Sequence, residues 1–587
     1  MQIKKGIPVS PGVAIHRAVV LNAEEQAIPR RRIAPAQVPD ELGRLQQALD
    51  NSRRDVEQLR EQTAATIGED LAKIFSAHLM MLQDEHLVEQ FRRKIKRDLV
   101  TAEFAVYAVM RSLADKFRQM ENQYVRERVH DVWDLERRVL RHLIGRTRAE
   151  LEQLAHEAVV IAHDLTPSQT AALDKSKIKA VATDIGGRTS HTAILAHALG
   201  IPAIVGLEDA TTNVTPGDTV IIDGNRGVVI IDPDAAKLME YRQYVKRIVE
   251  LETSLDELAT LAAVTTDDTA ITLMANIEFP YEIQAALDKG AAGIGLYRTE
   301  FLYLASTQPP TEEQQYEAYL QAIEALGGKP LTIRTLDLGA DKFNVNGPSD
   351  HVERNPFLGC RSIRFCLQNL PLFKTQLRAI LRASATGPIR IMFPLITSVM
   401  ELRQAKMVLN DVAEDLEELG VHSGQDIPVG IMIEVPSAAL QARTLAQEVD
   451  FFSIGTNDLI QYTLAVDRGN ERIANLYSGA HPAVIQLIKE VARAGQRAKI
   501  EVSLCGEMAG EPEYVMLLLG LGLRSLSVTP PAILEVKKII RSVTIAQCRQ
   551  VARRAGGFES EREVLNYLRD EARRVAPDVF AGRPMEL

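Results

Sequence analysis

Cysteine is scarce in this chain. Cys360, Cys366, Cys505 and Cys548 are all that 587 residues carry, and they form no paired or CxxC pattern. Neither a disulfide framework nor a cysteine zinc site is suggested. No uninterrupted apolar run approaches the roughly 20 residues that span a bilayer, so no membrane insertion is expected. The opening stretch MQIKKGIPVSPGVAIHRAVVL is interrupted by Pro8 and Pro11 and has no apolar core of the kind a secretory signal needs. The expected location is therefore the cytoplasm. Positive charge is also in deficit, with 68 Lys and Arg against 78 Asp and Glu and a net charge of −10. That argues against nucleic acid as the main partner, because phosphate backbones select basic faces. A local basic site stays open.

The next absence is proline, of which there is none between Asp40 and Asp164, and glycines are few there. Leu42, Leu45, Leu49, Val56 and Leu59 fall at three- and four-residue spacing, a helix period. The pattern continues through LAKIFSAHLMMLQDEHLVEQF and RERVHDVWDLERRVLRHLIG. Residues 35–147 are expected to be an all-helical unit of hairpins. On either side the texture changes to short β-branched runs bounded by Gly, Asp and Pro: GVAIHRAVVL before it, and EAVVIAHDL, IKAVATDIGG, IPAIVG, DTVIIDG and GVVIID after it. Residues 1–34 plus 148–232 are expected to form one α/β domain with the helical unit inserted in it. Leu238, Tyr241, Val245, Ile248, Leu251 and Leu255 then line one face of a connecting helix within residues 233–263.

Residues 264–575 are the most regular part. Eight apolar runs, ITLMANI, AGIGLYRTE, LTIRTLDLG, IRIMFPLI, VGIMIEVP, FFSIGTND, VSLCGEMA and LRSLSVTP, alternate with amphipathic helical stretches. This predicts a (β/α)8 TIM barrel, with an open doubly wound sheet as the competing architecture. The whole chain is thus expected to be a multidomain α/β protein.

In a TIM barrel the active site lies at the C-terminal ends of the strands, and the polar residues of these runs fall there. Arg298 ends the second, Arg334 and Asp337 the third, Glu434 the fifth, Asn457 and Asp458 the sixth, and Cys505 the seventh. Lys342, Arg361 and Arg468 follow in the loops. Converging arginines imply a small, multiply charged anion, since the guanidinium fork matches carboxylate and phosphate oxygens. Glu434 and Asp458 would repel that anion unless a hard divalent cation lay between them; magnesium binds through one or two carboxylates plus substrate oxygens. The set suits a phosphorylated carboxylic acid with Mg2+. Asp337 and Arg361 also fit a structural ion pair, and Cys505 also fits a small buried hydrophobe.

A second site candidate lies in GGRTSHTAILAHALGIPAIVG. Gly186 and Gly187 give a turn, Thr189 or Ser190 can cap a helix, and His191 then stands at its N-terminus. Unpaired N–H groups, with Arg188, Thr189, Ser190 and Thr192 as added donors, disfavour an imidazolium there and favour a phosphorylated imidazole. His197, six residues on, does not share the face a metal site would need. A core or capping histidine is the alternative to a phosphoryl-carrying nucleophile.

The motifs GGRTSHTAILA, GLYRTEFLY, IEVPSAA, FFSIGTNDLIQYTLAVDRGN and LCGEMAG together resemble Enzyme I of the bacterial sugar phosphotransferase system, the phosphoenolpyruvate-protein phosphotransferase family, over essentially the whole chain. The resemblance implies self-phosphorylation by phosphoenolpyruvate with Mg2+, transfer to the phosphocarrier protein HPr docked on the helical insertion, and a homodimer formed through the barrel. It implies His191 as the phosphohistidine and Arg298, Arg334, Asn457 and Arg468 as substrate ligands. Glu434 and Asp458 would be the metal ligands, with Asp458 beside the substrate, and Cys505 the proton donor to the methylene carbon as pyruvate forms. A nitrogen-related paralogue serving a regulatory carrier is the alternative; its members commonly carry an N-terminal sensory domain, whereas this sequence opens on GIPVSPGVAI. For the docking face, Phe75, His78, Leu79 and Leu82 beside Asp84 and Glu85 suggest an apolar stripe with an acidic edge.

Overall fold

The computed structural model describes residues 1–10, 12–21, 28–66, 75, 78–118, 129–144, 156–165, 176–187, 192–193, 196, 199–304, 309–339, 355–424, 426–468, 470, 473 and 476–581. The chain forms two compact units, Met1–Lys246 and Arg247–Leu587.

The first unit holds a mixed eight-stranded sheet: β1 (Gln2–Lys5), β2 (Ile7–Ser10), β3 (Val13–Leu21), β4 (Ala158–Ala162), β5 (Ile178–Thr183), β6 (Ala203–Val205), β7 (Thr219–Asp223) and β8 (Val228–Ile231). The spatial order is β1-β8-β7-β3-β4-β5-β6-β2. β3, β4, β5 and β6 run parallel, in register Val19↔Val160 and Val160↔Val181. β1, β8 and β7 join antiparallel on one side of them, and β2 joins antiparallel on the other. β3 and β4 are neighbours in space although everything from Asn22 to Glu157 lies between them in sequence.

That interval contains the helices Val38–Thr66, Glu85–Asp98, Ala102–Arg118 and Val129–Ile144. Their apolar faces close on one another around Leu45, Leu49, Phe91, Ile95, Val106 and Leu135. The stripe expected to receive a partner belongs to this core: Phe75 and His78 are 0% exposed, Leu79 7% and Leu82 3%. His78 is spent inside the bundle, with its ring nitrogens 3.2 Å from Asp131 Oδ1 and 3.6 Å from Asp134 Oδ2. Helical spacing alone cannot tell a docking stripe from a core stripe, and here packing took it. Asp84 has a local task as well, since its carboxylate accepts the N–H groups of His86 and Leu87 and caps the helix Glu85–Asp98.

The helix Ala235–Asp256 follows the sheet. Tyr241, 3% exposed, donates its hydroxyl to Asp223 Oδ2 at 3.4 Å and so ties the helix start to the end of β7.

The second unit is a closed barrel of eight strands: β9 (Thr272–Ile277), β10 (Ile294–Tyr297), β11 (Leu331–Arg334), β12 (Ile389–Phe393), β13 (Val429–Ile433), β14 (Phe451–Ile454), β15 (Glu501–Leu504) and β16 (Ser525–Val528). Every neighbouring pair is parallel, and β16 closes on β9 through Ser525↔Thr272 and Val528↔Ala275. Each of the eight apolar runs supplies one strand. β10, β11, β13, β14 and β16 are buried at every position, as strands covered on both faces must be. The excluded architecture is the open sheet. Leu296, Met392, Met432, Phe451 and Cys505 fill the barrel interior. At its N-terminal end the Arg390 guanidinium lies 3.9 Å from the Phe451 ring centre and pairs with Glu501 at 3.0 Å. Among the described residues no helix is long and apolar enough to cross a membrane.

Candidate active site at the mouth of the barrel

The strands stop where their polar residues begin. Arg298 follows β10 directly, Arg334 is the last residue of β11, Glu434 follows β13, and Cys505 follows β15. Each backbone is fixed by its neighbour: Arg298 N–H donates to the Ile277 carbonyl at 3.0 Å, and Cys505 N–H to the Ile454 carbonyl at 3.1 Å. Strand geometry therefore delivers all of these side chains to one rim.

Two arginines lie deepest. Arg334 Nη2 donates to Glu300 Oε1 at 3.0 Å, and Nη1 pairs with Asp337 Oδ2 at 2.9 Å while resting 3.8 Å from Met432 Sδ. Arg361 Nη2 bridges Asp337 Oδ1 at 2.8 Å and Asp458 Oδ2 at 3.2 Å. Burial works against both guanidinium charges. The surrounding carboxylates, Glu300 and Asp337 for Arg334 and Asp337 and Asp458 for Arg361, outweigh it and push both upward. The pair of Asp337 with Arg361 is real, yet it also reaches Asp458 and is part of the site.

The acidic side of the rim is under electrostatic load. Burial, then Asp458 and Asp337, push the Glu434 carboxyl up to about 8. Its Oε1 accepts the Leu395 N–H at 2.6 Å. Its Oε2 lies beside Gly455, where an added Cβ would come within 2.9 Å, so only glycine leaves that oxygen room. Two crowded carboxylates whose shared charge is disfavoured make a hard-cation donor pair. Among the described residues no group of three or more His, Cys, Asp and Glu is placed to hold a metal ion.

Four of the predicted residues complete the rim. Asn457 and Glu507 grip each other: Asn457 Nδ2 donates to Glu507 Oε1 at 3.1 Å, and Glu507 N–H donates to Asn457 Oδ1 at 2.9 Å. Arg468, the most exposed of the predicted ligands, reaches Glu507 only at 3.9 Å, a loose pairing. Cys505 is 2% exposed, and burial pushes its thiol up, which keeps it protonated at neutral pH. Arg298 is held by Glu278 Oε1 at 2.7 Å.

Glu300, Glu278, Glu507 and Tyr462, whose hydroxyl accepts from Arg361 Nη1 at 3.4 Å, were not singled out from the sequence. Glu300 stands two residues after Arg298 in the same quoted run, and that adjacency was the available signal. Glu507 and Tyr462 also stand in quoted runs, LCGEMAG and FFSIGTNDLIQYTLAVDRGN, with Tyr462 on the helix Thr456–Leu464, whereas Glu278 directly follows β9.

His191, Arg188, Thr189, Ser190 and Lys342 lie outside the described residues. Around His191, Gly186 has φ 117°, the left-handed region that side chains resist. Thr192, expected as a further donor to that site, is 2% exposed and donates to the Leu165 carbonyl at 3.2 Å instead.

A closed parallel barrel with arginines and carboxylates on its C-terminal rim, following a mixed α/β sheet interrupted by helices, defines a class. Family models of PEP-utilising enzymes match all three parts: the N-terminal region over residues 5–128, the mobile domain over 154–227 and the PEP-binding domain over 252–545. "Phosphoenolpyruvate-protein phosphotransferase" of Geobacillus stearothermophilus is 42% identical over 96% of this chain and 97% of its own length. The protein of that name from Bacillus subtilis (strain 168) is 40% identical over 97% of this chain and 100% of its own. The NMR solution structure of "Enzyme I (nEIt) protein" shares 39% identity, covering 41% of this chain and 98% of that one at a TM-score of 0.36. The chain belongs to the phosphoenolpyruvate-protein phosphotransferase family, and it is an enzyme.

Proposed function

We propose that this chain takes the phosphoryl group of phosphoenolpyruvate onto His191, releases pyruvate, and passes the group to a histidine of HPr at the first step of sugar uptake. The observation that supports it most is the convergence of Arg334 and Arg361 on the carboxylates Asp337, Asp458 and Glu434 at one barrel rim. Arg298, Arg334 and Arg468 bind the charged oxygens of the substrate, and Asn457 adds a polar contact. Glu434 and Asp458 would hold Mg2+, a fit supported by the crowding of their charges and by the glycine at 455, where a side chain would press on Glu434 Oε2. Bound there, Mg2+ neutralises phosphoryl charge. A His191 ring nitrogen attacks phosphorus in line, the bond from phosphorus to the enol oxygen breaks, and that oxygen leaves with its electron pair. Cys505 S–H gives its proton to the methylene carbon, completing pyruvate.

The parts follow the division 1–34 plus 148–232 for the histidine domain, 35–147 for carrier docking, 233–263 as linker and 264–575 for substrate binding and homodimer formation. The histidine must meet substrate at the barrel and a carrier on the helices, so the histidine domain swings as a rigid body between them. With Phe75, His78, Leu79 and Leu82 in the core, the docking face falls to exposed neighbours such as Met80, Asp84 and Glu85. The setting is the cytoplasm.

The test uses the purified chain with Mg2+, labelled phosphoenolpyruvate, and a sugar-related or a nitrogen-related carrier. Label on the sugar-related carrier is the expected result. Label on the regulatory carrier alone would establish the paralogue reading, and label on neither would remove the carrier role.

A further inference from the structure

One carboxylate at the rim has no role in binding substrate or cation. Asp337 uses both of its oxygens on arginines, Oδ2 on Arg334 at 2.9 Å and Oδ1 on Arg361 at 2.8 Å. Its side chain is 5% exposed. The backbone that carries it is pinned along its length. Thr299 Oγ1 donates to the Arg334 carbonyl at 3.0 Å, Leu336 N–H donates to Gln376 Oε1 at 2.9 Å, and Asp337 N–H donates to Glu300 Oε1 at 3.1 Å. Gln376 is 0% exposed and also donates to Thr299 Oγ1 at 3.1 Å, which links two of the pins.

Resting on the reading that this rim binds phosphoenolpyruvate, we propose that Asp337 is the positioning residue of the anion site. It holds Arg334 and Arg361 as adjacent forks, and Glu300 sets the backbone from which it does so. Two neighbouring guanidinium groups repel, and each free arginine side chain carries rotamer entropy that binding would have to remove. A buried carboxylate with one oxygen for each fork offsets the repulsion and fixes both orientations before substrate arrives. Arg334 Nε–H is buried and has no hydrogen-bond partner among the described residues, so the fork is held by its Nη ends with a donor in reserve. Asp337 itself cannot face the substrate anion, because like charge would repel it, and with both oxygens occupied it adds no third ligand to Glu434 and Asp458.

The geometry separates the two acidic residues. Both bonds to Glu300 go to the same oxygen, Oε1, so the amide oxygen of a glutamine can keep them. Asp337 needs two acceptors, and asparagine offers one acceptor and one donor that would point at an arginine.

The test compares wild type, Asp337→Asn, Glu300→Gln and Glu300→Ala as full-length chains with Mg2+. Initial rates of pyruvate release give kcat and KM for phosphoenolpyruvate, and thermal unfolding is followed with and without that substrate. We expect Asp337→Asn to lower kcat/KM by about 100-fold, chiefly through KM, and to lose the substrate-induced rise in Tm. Glu300→Gln should fall only about fivefold, and Glu300→Ala about as far as Asp337→Asn. Should Asp337→Asn fail to fold, the Glu300 pair still decides, since rescue by glutamine over alanine is the positioning signature. A kcat/KM for Asp337→Asn within about threefold of wild type, or equal losses in Glu300→Gln and Glu300→Ala, would overturn the proposal. A wild-type chain indifferent to phosphoenolpyruvate overturns the functional reading and this inference with it.

Discussion

His191→Ala is expected to leave no phosphoryl label on the chain after incubation with phosphoenolpyruvate and Mg2+. A nucleophile that forms the covalent intermediate has no substitute, so its removal costs as much as losing the whole catalytic set. The chain has 12 histidines, and a label that simply sought an exposed imidazole would persist in the variant. Binding of phosphoenolpyruvate should survive within about twofold, because the residues proposed to hold it, Arg298, Arg334, Glu434, Asp458 and Arg468, belong to the barrel unit. Rapid-quench labelling and equilibrium titration check the two halves. Label recovered on histidine in the variant contradicts the assignment of His191; loss of binding along with labelling contradicts the division of labour between the units.

The second large effect is expected at Cys505. Burial first pushes its thiol up, which favours the protonated form that a proton donor to carbon needs. General acid–base groups contribute about 10²–10⁴-fold. Cys505→Ala should therefore slow the reverse reaction, formation of phosphoenolpyruvate from phosphorylated chain and pyruvate, by about 10³-fold. That direction must take a proton from the methyl group of pyruvate, and Cys505 is the group proposed to receive it. Forward labelling should fall far less, because enolpyruvate can leave and take its proton from water. Isotope exchange between labelled pyruvate and phosphoenolpyruvate measures the first rate, and label uptake by the chain measures the second. Equal losses in both directions would make Cys505 a packing residue.

The barrel was legible because burial on both faces makes its strands mostly apolar. The runs ITLMANI to LRSLSVTP therefore read as strands, and their polar residues marked the C-terminal rim. Six of the eight strands of the first unit were legible as β-branched runs; the half-exposed β1 and β2 were not, and neither was the strand order, which depends on β3 and β4 pairing across the whole helical interval. What the sequence could not carry was partner choice within the rim. Glu300 and Asp337 gain their meaning only from the angles at which Arg334 and Arg361 arrive, and a one-dimensional pattern holds no angles. The helical stripe failed for a related reason. Phe75, His78, Leu79 and Leu82 have the period of a docking face and of a core face alike, and only the surrounding helices decide between them. Thr192 likewise had the spacing of a donor to His191 and spends its hydroxyl on Leu165.

The central claim is that the barrel rim delivers a phosphoryl group from phosphoenolpyruvate to one histidine of this chain. Its most direct measurement is a single-turnover quench of wild-type chain with labelled phosphoenolpyruvate and Mg2+. Protein-bound label and pyruvate are counted at each time, and the labelled residue is identified by peptide mapping. The account predicts equal amounts of pyruvate and acid-labile label, rising together to about one per chain, with the label on His191. Pyruvate released without label on the chain, or label on any residue other than His191, would contradict it.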